Sequence, residues 1–218
     1  MAFGTILFDL DGTLTDPYIG ITSGVMYAYR GLGFEVPERD TLRSFIGPPL
    51  FDEFTRRGFT EEQAREAVRL YREYYGETGL FENRLIPGAE ELLRELKRMG
   101  KRVCLATSKP EQFSVRILEH FGLIGYFDFI GAASMDGSRG TKAEVIRYVL
   151  DNTGAAPGDC LMVGDRMHDI IGAHEVGVKC AAVMVGFGSR EEFEEYGADY
   201  ICDDLEQTIS IIREQCAC

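Results

Sequence analysis

The chain has 218 residues, 45% hydrophobic and 27% charged, which is enough for one sizeable core or for a core domain carrying a smaller insertion, and excludes a disordered or mini-protein class. Its formal charge of −13, from 23 basic and 36 acidic residues, excludes nucleic acid as a bulk partner and requires any anionic ligand to be met by a local cation or by helix N-termini. The first residues lack a basic segment followed by an apolar one, and no apolar run reaches the length of a bilayer span, so the expectation is a cytoplasmic protein that does not engage membrane.

The first element is a strand, "ILF" at Ile6–Phe8, followed at once by three acids, Asp9, Asp11 and Asp16. From Asp16 to Leu85 the pattern is almost wholly helical. Ile21, Val25, Ala28 and Leu32 keep helical spacing, and "TEEQ" at Thr60–Gln63 is a capping box before Ala64, Ala67, Val68, Tyr71 and Tyr75. Asp16 precedes Pro17 and is read as the N-cap of the first of these helices in preference to a further site acid. Tyr71, Tyr74 and Tyr75 are read as helix packing rather than a base-stacking pocket. Between the helices, "RSFIGPPL" at Arg43–Leu50 combines a glycine with two prolines and is expected to be a stiff loop.

From Pro87 short apolar strands alternate with amphipathic helices. A helix over "PGAEELLRELKRMG" stops at Gly100, the strand "RVCLAT" follows, and Phe113, Ile117, Leu118 and Phe121 line the next helix. The strand "FDFIGA", a helix over Thr141–Gly154, the strand "CLMVGD", the helix "DIIGAHEVG", the strands "VKCAAVMV" and "DYIC", and a closing helix over Asp203–Cys216 complete the series. Strands apolar on both faces and separated by helices predict a doubly wound parallel α/β sheet, a Rossmann-like core over residues 1–15 and 86–218, interrupted by an α-helical insertion over 16–85. Cys104, Cys160 and Cys180 fall in or beside strands and are read as reduced core thiols; Cys216 and Cys218 are read as a frayed tail rather than a metal site.

In such folds ligands bind beyond the carboxyl ends of the strands, where strand order reverses. Three strands here end in polar side chains: Asp9 and Asp11 after the first, Thr107 with Ser108 and Lys109 after the second, and Asp165 with Asp169 in "GDRMHD"; Lys142 opens the helix before that last strand. Like-charged carboxylates brought to about 4 Å repel by roughly 4 kcal/mol per pair at an effective dielectric near 20, so such a cluster calls for a cation. Oxygen ligands without histidine or cysteine select a hard ion, and Mg²⁺ is the usual choice beside a phosphate. One carboxylate could then attack phosphorus while a second, two residues on, handles the proton, provided that Gly12 lets the chain turn between them.

The motifs "DLDGT", Thr107, Lys142 and "GDRMHD", in this order and with a helical insertion directly after the first, resemble the phosphatase branch of the haloacid dehalogenase superfamily. The resemblance implies a Mg²⁺-dependent phosphatase acting on a small phosphorylated metabolite through an aspartyl-phosphate, with residues 16–85 as the cap. It implies Asp9 as nucleophile and Asp11 as general acid/base whose main-chain carbonyl also reaches the metal, with Asp165 and Asp169 completing the metal site. Thr107 and Lys142 would hold the phosphoryl group, assisted by the turn of Leu10, Gly12 and Thr13 and by Ser108. Ser108 stands where the family often has Asn, and Arg166 where a small residue is common. "GDRMHDIIGA", "ATSKP" and "FIGPPL" look like the phosphoglycolate phosphatase-like or 5′-nucleotidase-like subgroup. In related enzymes the cap loop reaches the leaving group, so Arg43, Phe45 and Gly47 are specificity candidates.

Lys109, beside Pro110, is read either as a phosphate contact or as a solvated rim residue and is left out of the main set. His168 is assigned to helix packing, and His120 and His174 to no chemistry. A β-phosphoglucomutase-like phosphomutase and, from another class, a phospho-accepting receiver module are the alternatives; dehalogenation is disfavoured by the second acid and the metal cluster. The expected assembly is a monomer or homodimer.

Overall fold

Four consecutive buried residues make β1 (Thr5–Phe8), the polar Thr5 at its start and then the apolar run Ile6, Leu7 and Phe8. In the computed structural model, which describes residues 3–135 and 138–216, this strand lies at the middle of a six-stranded sheet. The other strands of the sheet are β4 (Arg102–Pro110), β5 (Phe129–Ala133), β6 (Cys160–Gly164), β7 (Lys179–Val183) and β8 (Tyr200–Cys202). The order is β5-β4-β1-β6-β7-β8 and every pair is parallel. Counting only these strands, the order reads 3-2-1-4-5-6, the Rossmann arrangement, in which strand order reverses beside β1. Thr5 pairs with Arg102 on one side and Cys160 on the other, so β1, β4 and β6 run in register and their carboxyl ends open at one level.

Helices follow the strands as the right-handed crossover requires: α4 (Ala89–Arg98) before β4, then α5 (Glu111–His120), α6 (Lys142–Thr153), α7 (Met167–Glu175), α8 (Arg190–Glu195) and α9 (Leu205–Cys216). In α4, Ala89, Leu92, Leu93 and Leu96 recur at helical spacing and are buried. In α6 a capping box joins Thr141 to Glu144, and Gly154 ends the helix at φ +68, a value at which a side chain would be strained. The main core packs Leu7, Cys104, Ala106 and Met162 of the sheet against Val145, Ile146 and Val149 of α6 and Ile170 and Ala173 of α7. Cys104, Cys160 and Cys180 are free thiols inside it and Cys202 is likewise free and buried, and burial pushes the Cys104 thiol up to about 12. The proposed frayed pair lies outside this description, since Cys218 and the side chain of Cys216 are not among the described atoms.

The chain forms two compact units, Met1–Asp16 with Leu85–Cys218, and Pro17–Arg84. The second contains α1 (Tyr18–Gly31), a 3₁₀ helix over Arg39–Phe45, α2 (Leu50–Arg56) and α3 (Glu61–Tyr74), which runs into a single π-helical stretch over Tyr75–Gly79. Val25 and Ala28 of α1 and Ala64, Ala67 and Tyr71 of α3 are buried, and the ring of Tyr71 occupies the space that a Cβ on Gly24 would need. Tyr75 is buried and stacks on Tyr71, while Tyr74 is half-buried and donates its hydroxyl to Glu82. The expected N-cap at Asp16 is corrected: Asp16 belongs to the short strand β2 (Thr15–Asp16), which pairs with β3 (Arg84–Leu85), and the cap position of α1 falls on Pro17 without a side-chain cap. Among the described residues no helix is long and apolar enough to cross a membrane.

Candidate active site

Beyond Phe8 the chain leaves the sheet in a tight turn in which the Leu10 carbonyl accepts the N–H groups of Leu14 at 2.9 Å and Thr15 at 3.0 Å. Gly12 makes this possible at φ +85, and a Cβ there would stand 2.1 Å from Asp165 Oδ2, so both conformation and space demand glycine. The turn sends the two acids to different partners: Asp9 meets Lys142, and Asp11 meets Lys109.

Lys142 is the first residue of α6 and is buried. Its Nζ lies 2.9 Å from Asp9 Oδ1 and 2.8 Å from Asp169 Oδ1, and it donates to the Ala106 carbonyl at 2.9 Å. The two carboxylate contacts are ion pairs off hydrogen-bond alignment, so Asp9 Oδ1 and Asp169 Oδ1 remain buried without a hydrogen bond. Burial alone would lower the lysine pKa, but the charges of Asp169 and Asp9 outweigh it and hold the ammonium above its ordinary value.

Asp165 follows β6 and is fully buried. Its Oδ1 accepts the Thr13 hydroxyl at 3.4 Å and its Oδ2 the Phe187 N–H at 2.7 Å. Burial, reinforced by Asp169 and Asp9, pushes this carboxyl well above the usual range. Asp169, in the first turn of α7, accepts the Arg166 N–H on Oδ2 at 3.1 Å; burial raises it to about 6 against the pull of Lys142. Ligand atoms of Asp9, Asp165 and Asp169 all lie within 4.8 Å of one another.

Thr107 is buried at the end of β4, and its hydroxyl accepts the Lys109 N–H at 3.2 Å; Ser108 between them is half-buried. The rim reading of Lys109 is corrected: β4 continues to Pro110, the lysine side chain is only 7% exposed, and its Nζ meets Asp11 Oδ2 at 2.6 Å. Burial raises the Asp11 carboxyl pKa although Lys109 opposes it. His168, in the first turn of α7, is half-buried, and burial lowers its pKa.

The specificity candidates lie in the other unit. Arg43 is exposed, pairs with Asp40 at 3.3 Å and stacks over the Tyr18 ring. Gly47 is exposed at φ +105. Phe45 is 2% exposed and packs against Phe54 and the Arg57 guanidinium, so it is a core side chain of the helical unit.

Two contributors had no place in the sequence expectation. The loop after β7 brings Gly186 and Gly188 so close to Asp165 that a Cβ on either would stand 2.2 Å or 2.3 Å from its atoms, and Phe187 between them supplies a backbone donor. Glu192 of α8 accepts the Met167 N–H at 2.6 Å and Arg166 Nε at 3.1 Å. The spacing "GFG" directly after a strand was the only trace of the first; the second left none.

This donor set fits a hard divalent cation. Among the described residues three carboxylates and no histidine or cysteine converge, and two of their buried oxygens have no hydrogen-bond donor. Without a cation beyond Lys142 the cluster would carry an uncompensated excess of buried negative charge.

The model for haloacid dehalogenase-like hydrolases matches residues 6–183. A 5′-nucleotidase from Pseudomonas aeruginosa is 46% identical over 206 residues, covering 94% of this chain and 93% of its own. The tyrosine-protein kinase PtkA of Mycobacterium tuberculosis is 38% identical over 209 residues, covering 96% of this chain and 71% of its own. Among solved structures, a predicted phosphatase from Clostridium acetobutylicum has a TM-score of 0.94 at 42% identity and covers 98% of this chain and 100% of that one. With the strand-end carboxylates, the lysine between them and this match over most of its length, the chain belongs to the haloacid dehalogenase-like hydrolase family.

Proposed function

We propose that the protein is a cytoplasmic Mg²⁺-dependent phosphatase, monomeric or homodimeric, that hydrolyses a small phosphorylated metabolite through an aspartyl-phosphate on Asp9. The observation that carries this reading is the convergence of Asp9, Asp165 and Asp169 within 4.8 Å of one another, with the Lys142 ammonium paired to Asp9 and Asp169. A nucleoside 5′-monophosphate is the first candidate substrate, because the relative that is 46% identical is a 5′-nucleotidase; phosphoglycolate is the second, from a relative that is 29% identical. Residues 16–85 are the cap on this reading, with Arg43 and Gly47 as candidates for choosing the leaving group; the burial of Phe45 leaves it to hold their loop.

Asp9, Asp165 and Asp169, with the main-chain carbonyl of Asp11, would hold the ion, which when bound neutralises charge on the phosphoryl oxygens. The remaining chemistry belongs to the chain. An oxygen of Asp9 attacks phosphorus while the bond from phosphorus to the leaving oxygen breaks. Asp11, its pKa raised by burial, gives its proton to that oxygen. The Asp11 carboxylate, now ionised beside Lys109, takes a proton from the water that attacks phosphorus, which releases phosphate and restores Asp9. Lys142, Thr107 and the backbone N–H groups of Leu10 and Ser108 bind the phosphoryl oxygens, while the N–H groups of Gly12, given to the Thr15 carbonyl at 2.7 Å, and of Thr13, given to the Leu10 carbonyl at 3.3 Å, shape the turn beneath them.

A metabolite panel assayed for phosphate release with and without Mg²⁺ tests this, alongside Asp9→Asn. Metal-dependent turnover that the amide lowers by orders of magnitude is expected; equal turnover in both proteins refutes the nucleophile assignment. The kinase relative favours a second reading in which a tyrosine hydroxyl replaces water as acceptor. Transfer of the γ-phosphoryl group of ATP to a tyrosine peptide, with no phosphate released from any monoester, would select it.

A further inference from the structure

We propose that Glu192 is a positioning residue for the Asp165–Asp169 turn, and that Arg166 is its partner. The helix α7 begins at Met167, so the cap position is Arg166, whose side chain offers no hydrogen-bond acceptor. The first N–H groups of a helix need acceptors, and residues that cap them usually do so from their own side chains. Here the duty is divided. Asp169 takes the Arg166 N–H at 3.1 Å, and Glu192, 25 residues further on, takes the Met167 N–H at 2.6 Å. The same oxygen of Glu192 receives Arg166 Nε at 3.1 Å, with each side chain 20% exposed.

A further carboxylate beside an acidic cluster costs energy unless it has a cation and donors of its own. Glu192 has both, in Arg166 and in the positive end of α7, so it draws on the turn without competing for the ion. Its placement is itself secured. The Ser189 hydroxyl accepts the Glu192 N–H at 3.2 Å, and Phe193 next to it is fully buried. A Cβ on Gly188 would meet both the Asp165 carbonyl, at 2.3 Å, and the Phe193 ring, at 2.5 Å. Residues 186–193 thus hold the turn on two sides: Phe187 N–H fixes the Asp165 carboxylate, and Glu192 fixes the helix start that carries Asp169.

The inference rests on the reading of Asp9, Asp165 and Asp169 as ligands of a divalent ion. The test is calorimetric titration of the intact protein with MgCl₂, combined with thermal melting in the absence of the ion, for wild type, Glu192→Ala, Glu192→Gln and Arg166→Ala. Partners of metal ligands typically contribute 10–100-fold in affinity, so Glu192→Ala is expected to raise the Kd for Mg²⁺ by about tenfold or more. Glu192→Gln keeps an acceptor for Met167 and loses only the charge at the helix start, which corresponds to about threefold. Arg166→Ala, which leaves the Met167 bond intact, is expected to fall below Glu192→Ala. A Kd for Glu192→Ala within about twofold of wild type overturns the assignment, even if melting drops, because a merely structural role would lower the melting temperature alone. If Glu192→Ala does not fold, Glu192→Gln decides: a threefold weaker Kd supports the assignment and an unchanged one overturns it. Wild-type protein without saturable Mg²⁺ binding removes the metal reading itself, which is a different result.

Discussion

At the amino ends of the central strands, Lys97 meets Asp128 at 2.7 Å with 34% and 40% of the two side chains in water. At the carboxyl ends, Lys142 meets Asp9 and Asp169 at similar distances, with the lysine 4% and Asp169 1% exposed. The amino-end pair lines an open depression of about 590 Å³ together with Lys101, Arg102 and Asp159. Solvent screens charges there, and an ion pair of this kind contributes little. At the other end the same kinds of side chain are desolvated and crowded, and glycines at 12, 164, 186 and 188 have surrendered their Cβ atoms to let them approach. A chain does not bury that much like charge for stability, because apolar residues of the same volume would serve the fold at least as well. The contrast separates charge placed for solubility from charge placed for chemistry.

The largest break in that contrast should come from Lys142→Met. Removing one partner of a buried ion cluster costs about 3–5 kcal/mol, and removing a charge that faces the phosphoryl group costs about 10²–10³ in kcat. Chemical denaturation and turnover should both register it, and saturating Mg²⁺ should recover part of the stability but not the turnover. Gly186→Ala comes next. Its Cβ would stand 2.2 Å from Asp165 Oδ2 and 2.3 Å from the Gly12 carbonyl, an overlap of the kind that costs about 1–3 kcal/mol, and it should weaken Mg²⁺ binding in calorimetry.

Acidity sharpens the comparison further. In the folded protein without metal, Asp169 is raised from its ordinary 3.8 to about 6, and Asp165 and Asp11 are raised as well. The folded state therefore holds protons that the unfolded state releases between pH 3.8 and about 6. The stability these groups contribute is present below that window and is lost as pH rises through it. Melting temperatures of the metal-free protein, corrected by an Asp169→Asn variant, should show this fall, and Mg²⁺ should stabilise progressively more as the carboxylates ionise. The smallest effect belongs to the other end of the sheet: Lys97→Met should cost no more than about 1 kcal/mol, less in high salt, with turnover unchanged.

Much of the candidate site was legible because the parallel sheet writes it in two alphabets. Apolar runs mark the buried strands, so the polar residues that interrupt them, Asp9, Thr107 and Asp165, mark the strand ends where ligands bind. Lys142 and Asp169 were legible from their places at helix starts beside those ends. Lys109 was misjudged because Pro110 suggested that a helix start had already brought the chain to the surface, whereas β4 carries the lysine inward next to Asp11. The Phe187 donor was hidden because a backbone N–H has no residue type, and Glu192 because α8 has only six residues, too few for periodicity to declare a helix. Phe45 shows the converse: a residue chosen for its loop proved to be fixed by its apolar ring.

The central claim is that Asp9 carries the phosphoryl group. Acid quenching during turnover with Mg²⁺ and a substrate, followed by borohydride reduction and peptide mass spectrometry, converts an aspartyl-phosphate to homoserine at the residue that bore it. The account predicts homoserine at position 9, absent without Mg²⁺. Reduction at Asp11 or Asp165 instead, or turnover with no reducible intermediate at any aspartate, would contradict it.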